Sequence, residues 1–95
     1  MTRHDCLAAA DRATNGRRTM DYGTPENNFS RIAEMWAAYL RVPVSAMDVA
    51  MMMALLKVAR VKGAAGVPTD DCFVDLAGYA ACGCQIADGM KKANG

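Results

Sequence analysis

Apolar residues recur every three or four positions through Phe29, Ile32, Ala33, Trp36, Ala37 and Leu40, which is the spacing of one face of an α-helix. That face predicts a helix from about Pro25 to Leu40. Thr24 offers a hydroxyl to cap its first amides, and Pro25 suits a first helical position, where no amide hydrogen is needed. The helix should stop at Arg41-Val42-Pro43-Val44, because Pro43 lacks an amide hydrogen and pushes Val42 toward extended backbone. Ser45 followed by Asp48 has the form of a capping box, and the nearly continuous apolar run from Ala46 to Val61 predicts a third helix, expected to be the central buried one. Gly63, Gly66 and Pro68 mark a turn, after which Asp70 and Asp71 favour a helix start through the helix dipole. This fourth helix is expected to reach about Met90. It is rich in Ala, Gly and Cys between Ala77 and Ala87, so another backbone can approach it closely; Gly83 is a point where it would bend, and residues 91–95 are expected to fray. At the other end, His4 to Ala13 forms a shorter helical pattern that closes at Asn15-Gly16, and a polar connector with Arg17, Arg18, Asp21, Tyr22 and Gly23 follows.

The elements add up to an all-α fold: one compact bundle of about four helices spanning residues 1–95, with the third and fourth helices an antiparallel hairpin. Within it, residues 1–20 are the N-terminal helix and connector, 24–90 the core helices and 91–95 the tail. A chain of 95 residues builds only a small core. The third helix is apolar almost all round, and three short neighbours cannot cover every face, so a homo-oligomer is expected.

Composition narrows the partners. With 53% hydrophobic residues and 11 basic against 10 acidic ones, the chain should fold, and it has no general attraction for nucleic acid or membrane. An anion site must therefore be local. No apolar run approaches the ~20 residues of a membrane span, and charges occupy the N-terminus where a signal peptide would be apolar, which points to a cytoplasmic protein. Cys6, Cys72, Cys82 and Cys84 are then reduced thiols. A zinc site from His4, Cys6, Cys82 and Cys84 fails on spacing, since residues two apart on a helix diverge.

Two groups of polar residues could carry chemistry. An antiparallel hairpin brings Lys57 and Arg60 toward Asp71 and Asp75, each pair on one helix face. The plain reading is a salt-bridge cluster that fixes helix register. The sharper reading gives the cations to phosphate oxygens and the carboxylates to Mg²⁺ or to ribose and base groups. The second group, Tyr22, Gly23, Glu26, Asn27, Asn28 and Arg31, surrounds the start of the second helix, where free backbone amides would receive an anion. There it competes with a simple capped helix start. Tyr22 and Tyr79 are each candidates for packing or for stacking on a base. His4 lies near a terminus and leaves no histidine partner for a Cys or Ser nucleophile, and no glycine-rich phosphate loop is present.

Several separated blocks, Tyr22-Gly23-Thr24-Pro25-Glu26-Asn27-Asn28-Phe29, Ile32-Ala33-Glu34-Met35-Trp36, Lys57-Val58-Ala59-Arg60 and Asp75-Leu76-Ala77-Gly78-Tyr79-Ala80, resemble a family of small phage and prophage proteins of unassigned function. The likeness runs over about residues 12–87. It departs at Cys72, where those proteins commonly have Asn. A more distant, architectural likeness is to the MazG-type all-α nucleotide pyrophosphohydrolases, which hold Mg²⁺ with acidic residues on adjacent helices. Their Glu-Glu-x-x-Glu helix has no counterpart here, and Asp71, Asp75, Glu26 and Glu34 are a thin supply of acids for two-metal chemistry.

The combined expectation is a phage-type protein that binds a phosphorylated nucleotide without cleaving it, such as a sponge for a cyclic nucleotide or ADP-ribose derivative used as a host immune signal. Its ligand residues would be Arg18, Tyr22, Glu26, Asn27, Asn28, Arg31, Lys57, Arg60, Asp71, Asp75 and Tyr79, with no catalytic residue and no cofactor. The alternatives are a Mg²⁺-dependent MazG-like pyrophosphohydrolase and a protein-interaction module that uses the Met and Ala surfaces.

Overall fold

The computed structural model describes residues 1–16 and 23–94, and among them it contains four α-helices and no strand. These are α1 (Arg3–Asn15), α2 (Pro25–Leu40), α3 (Ala46–Lys62) and α4 (Asp70–Asn94). Three begin or end where side chains satisfy the free backbone groups. At α2, the Thr24 hydroxyl accepts the Asn27 amide at 3.3 Å, and at α3 Ser45 and Asp48 exchange bonds of 3.0 and 2.9 Å in a full capping box. α1 has a second such box, in which Thr2 and Asp5 cap each other; the Thr-x-x-Asp spacing at 2–5 is its signature in the sequence. α2 ends at Arg41, which takes the left-handed conformation with φ 59° and donates its amide to the Ala37 carbonyl. The short link to Ser45 then makes α2 and α3 neighbours.

The centre of the fold is α4, not α3. α4 packs against all three other helices, whereas α3 packs against α4 and α2. The reason is size: close approach between helices depends on small side chains, and α4 supplies them. A Cβ on Gly83 would lie 3.1 Å from the Met51 methyl and 3.7 Å from the Ala50 Cβ, and one on Gly78 would lie 3.4 Å from the Thr14 methyl. The apolar length of α3 therefore does not translate into burial. Its inner positions Val49 and Ala50 are wholly buried, while Met51, Met52, Leu55, Leu56 and Val58 stay exposed.

The core joins Phe29 and Ala33 of α2, Val49 and Ala50 of α3 and Ile86 of α4, with Ile32, Trp36, Val44, Met47, Met53 and Tyr79 packed around them. Burying Val49 alone contributes about 1.5–3 kcal/mol. α4 runs unbroken through Gly83 and continues as helix through Lys91 and Lys92 to Asn94, where fraying was expected. Two lysines at the negative end of the dipole favour that extension, as does the Lys92 to Asp88 ion pair at 3.1 Å. The molecule is 40 Å in its longest dimension, close to the ~37 Å of a 25-residue helix. α1 lies along the first half of α4: Cys6 shares a surface hollow with Asp70 and Phe73, and Thr14 meets Gly78.

Candidate functional site

The hairpin of α3 and α4 is antiparallel as the sequence predicts, but it joins only half of the expected charge cluster. Lys57 Nζ lies 2.8 Å from Asp75 Oδ2, with the Lys57 side chain 12% exposed and that of Asp75 42% exposed. Arg60 and Asp71 are exposed and form no ion pair among the described residues. A step of three residues turns the direction of a side chain by about 60°. Lys57 faces α4, and Arg60 leaves the contact. The proposed four-membered salt-bridge cluster is thus a single pair.

Next to this pair, α1, α2 and α4 enclose a cavity of about 60 Å³, lined by Thr14, Asn28, Phe29, Asp75, Tyr79 and Cys82 among others. Helix geometry brings them together. Thr14 closes the last turn of α1, its hydroxyl donating to the Ala10 carbonyl at 2.9 Å. Asn28 and Phe29 are in the first two turns of α2, and Asp75, Tyr79 and Cys82 follow one face of α4 at intervals of four and three. Phe29 is buried and its ring centroid lies 6.3 Å from that of Tyr79, with the rings tilted by 43°. Tyr79 therefore packs against the core, and it also lines the cleft.

The start of α2 is more occupied than the sequence suggests. Pro25 has no amide hydrogen, Asn27 donates to the Thr24 hydroxyl and Asn28 to the Thr24 carbonyl. The Glu26 carboxyl is raised by burial, but hydrogen bonds from its own backbone amide, from Gln85 and from Thr24 outweigh this and the nearby charge of Asp88, so it sits below its ordinary value. The amides of Asn27 and Asn28 are thus taken by Thr24, which favours the capped helix start over an anion site at these amides. Gln85 Nε2 donates to Glu26 Oε2 at 3.1 Å and ties α2 to α4. Phe29 stood out by spacing as a core position of α2, but Gln85 and the cleft residues Thr14 and Cys82 did not. No spacing in the sequence marks them, because the cleft depends on where α1 and α2 meet α4.

Of the expected ligand residues, the structure gathers Asn28, Asp75 and Tyr79 at the cleft and Lys57 beside it. Glu26 is half-buried against Gln85; Asn27 and Arg31 are exposed on α2 and do not line the cavity. Arg18 and Tyr22 lie outside the described residues. Among the described residues the four cysteines form no disulfide, and no three His, Cys, Asp or Glu side chains converge as a metal site would need. No helix among them is long and apolar enough to cross a membrane.

What the fold and cleft define is a small all-α protein whose polar side chains meet at the junction of three helices. The chain belongs to the family described as a domain of unknown function, DUF6378, whose model matches residues 5–87. It is 46% identical over 76 residues to the Gene 55 protein of Mycobacterium phage D29, covering 80% of this chain and 49% of that protein. The Gene 55 protein of Mycobacterium phage L5 is 45% identical over 75 residues, covering 78% of this chain and 47% of that protein. This chain thus spans about half the length of the curated relatives it matches. No solved structure matches it. The phage origin of both relatives agrees with the resemblance drawn from the sequence blocks.

Proposed function

We propose that this chain is a phage protein that binds a phosphorylated nucleotide in the cytoplasm of the infected cell without cleaving it, as a sponge for a host nucleotide signal would. The supporting observation is the cleft: the amide of Asn28, the carboxylate of Asp75 and the phenol of Tyr79 line one cavity, and Asp75 holds the Lys57 ammonium 2.8 Å away. Such a mixture recognises sugar, base and phosphate groups together. At about 60 Å³ the cavity is well under the ~300–1,000 Å³ of a pocket that swallows a whole ligand. The nucleotide would seat one group in the hollow and lie across its rim. The Mg²⁺-dependent pyrophosphohydrolase alternative has less support, because Asp75 and Glu26 already have partners in Lys57 and Gln85.

The test is to incubate the purified chain with linear, cyclic and ADP-ribose-type nucleotides, with and without Mg²⁺, then denature it and identify what is released. Recovery of an intact nucleotide, with a rise in melting temperature that grows with the logarithm of its concentration, is the expected result. Metal-dependent conversion to a monophosphate and pyrophosphate would replace the sponge with the hydrolase. Binding of none of them would leave the protein-interaction module, whose supporting feature is the exposed apolar side of α3.

A further inference from the structure

The outer side of α3 is built as a palindrome. Asp48, Met51, Met52, Leu55, Val58, Ala59 and Lys62 are all exposed, and their spacing of three and four keeps them on one stripe of the helix. Leu55, at 65% exposure, sits at its middle. Asp48 is seven residues before Leu55 and Lys62 seven after, so the stripe is acidic at one end, basic at the other and apolar between.

We propose that this stripe is a two-fold interface with a second copy of the same chain, in which the two α3 helices pack antiparallel with the axis at Leu55. In that register Leu55 meets the partner's Leu55 and Met52 meets the partner's Val58, while Met51, whose methyl turns inward to Gly83, lies at the edge of the stripe opposite the partner's Ala59. Asp48 meets the partner's Lys62, and the symmetry repeats each pairing, as an isologous contact requires. The charges select the orientation. A parallel pairing in register would oppose Asp48 to Asp48 and Lys62 to Lys62, whereas the antiparallel one makes two attractive pairs and sets the positive end of each helix dipole beside the negative end of the other. Both charged groups are available for it. Asp48 uses one carboxylate oxygen on the Ser45 amide, and Lys62 forms no ion pair among the described residues. The arrangement also covers Met52, Leu55 and Val58, which α2 and α4 leave exposed.

Sedimentation velocity of the 95-residue chain across the micromolar range tests the interface, with circular dichroism as a check on folding for every variant. A dimer is expected. Leu55→Glu, which brings two carboxylates together on the axis, should weaken it by at least about a hundredfold, and Lys62→Glu by about tenfold, the order expected when two exposed pairs turn from attraction to repulsion. Leu55→Cys under mild oxidation should give a disulfide that peptide mapping assigns to position 55 in both chains. A monomer throughout the range overturns the proposal, as does a dimer that Leu55→Glu leaves intact or a Leu55→Cys protein with no link at that position.

Discussion

The seam between α3 and α4 and the cleft between α1, α2 and α4 share one helix but are packed differently. At the seam, Gly83 removes the side chain that would block the Met51 methyl and Ala50, and the space is filled. At the cleft, Gly78 makes a looser contact with Thr14, and a hollow of about 60 Å³ remains. Apolar residues hold the first region together, with Val49, Ala50 and Ile86 buried across it. Polar residues edge the second. The difference teaches that the glycines of α4 bring neighbours close, but what arrives at each glycine decides whether the result is core or cleft.

Phe29 belongs to both regions, so it provides the hardest test of that division. It is 5% exposed, packs in the core and faces the cavity through its contact with Tyr79. Phe29→Ala should cost about 3–5 kcal/mol, the range for deleting a buried aromatic ring, a large share of the stability of any domain this small. Urea denaturation followed by circular dichroism would read it. A cost below about 1 kcal/mol would mean that the hollow already extends beneath Phe29 and that the core is smaller than drawn.

A milder test compares the two cations of α3. Lys57→Ala removes a side chain that is 12% exposed together with its ion pair to Asp75, which should cost about 1–2 kcal/mol through lost packing and lost charge. The cost stays modest because water still reaches the Asp75 carboxylate at 42% exposure. Arg60→Ala removes an exposed group that forms no ion pair among the described residues and should stay within about 0.5 kcal/mol. Equal costs would place Arg60 in the same contact as Lys57 and restore the four-membered cluster.

Much of the fold could be read from local chemistry. Thr24-Pro25, Pro43 and the Ser45 to Asp48 box set helix boundaries through bonds made within a few residues, and those boundaries agree with the structure. What depends on distant packing could not be read. The apolar content of α3 suggested a buried centre, yet centrality went to the helix with the smaller side chains, because approach distance and not hydropathy limits how many neighbours a helix holds. The same limit applies to the site. Antiparallel pairing of α3 and α4 foretold Lys57 with Asp75, but which of two cations one turn apart faces inward depends on helix rotation. The contribution of Thr14 and Cys82 to the cleft required knowing that α1 lies along the first half of α4, a placement that no spacing in the sequence encodes.

The smallest effect is also the most direct comparison of seam and cleft: the same substitution, Gly→Ala, at Gly78 and at Gly83. Both residues lie inside α4, where replacing glycine lowers the backbone entropy of the unfolded chain and favours helix by about 0.5–1 kcal/mol. At Gly78 the new methyl meets Thr14 at 3.4 Å, an ordinary contact beside an open hollow. Gly78→Ala should therefore realise nearly the whole gain. At Gly83 the methyl would come within 3.1 Å of the Met51 methyl, and Met51 must swing aside. Because that atom is the end of a flexible chain, the displacement offsets the helix gain without reversing it strongly, and Gly83→Ala should fall near zero. The two urea midpoints, measured side by side, report the packing difference with helix propensity cancelled. If Gly83→Ala proves as stabilising as Gly78→Ala, the seam has the same slack as the cleft, and the distinction between a filled and an open contact along α4 is lost.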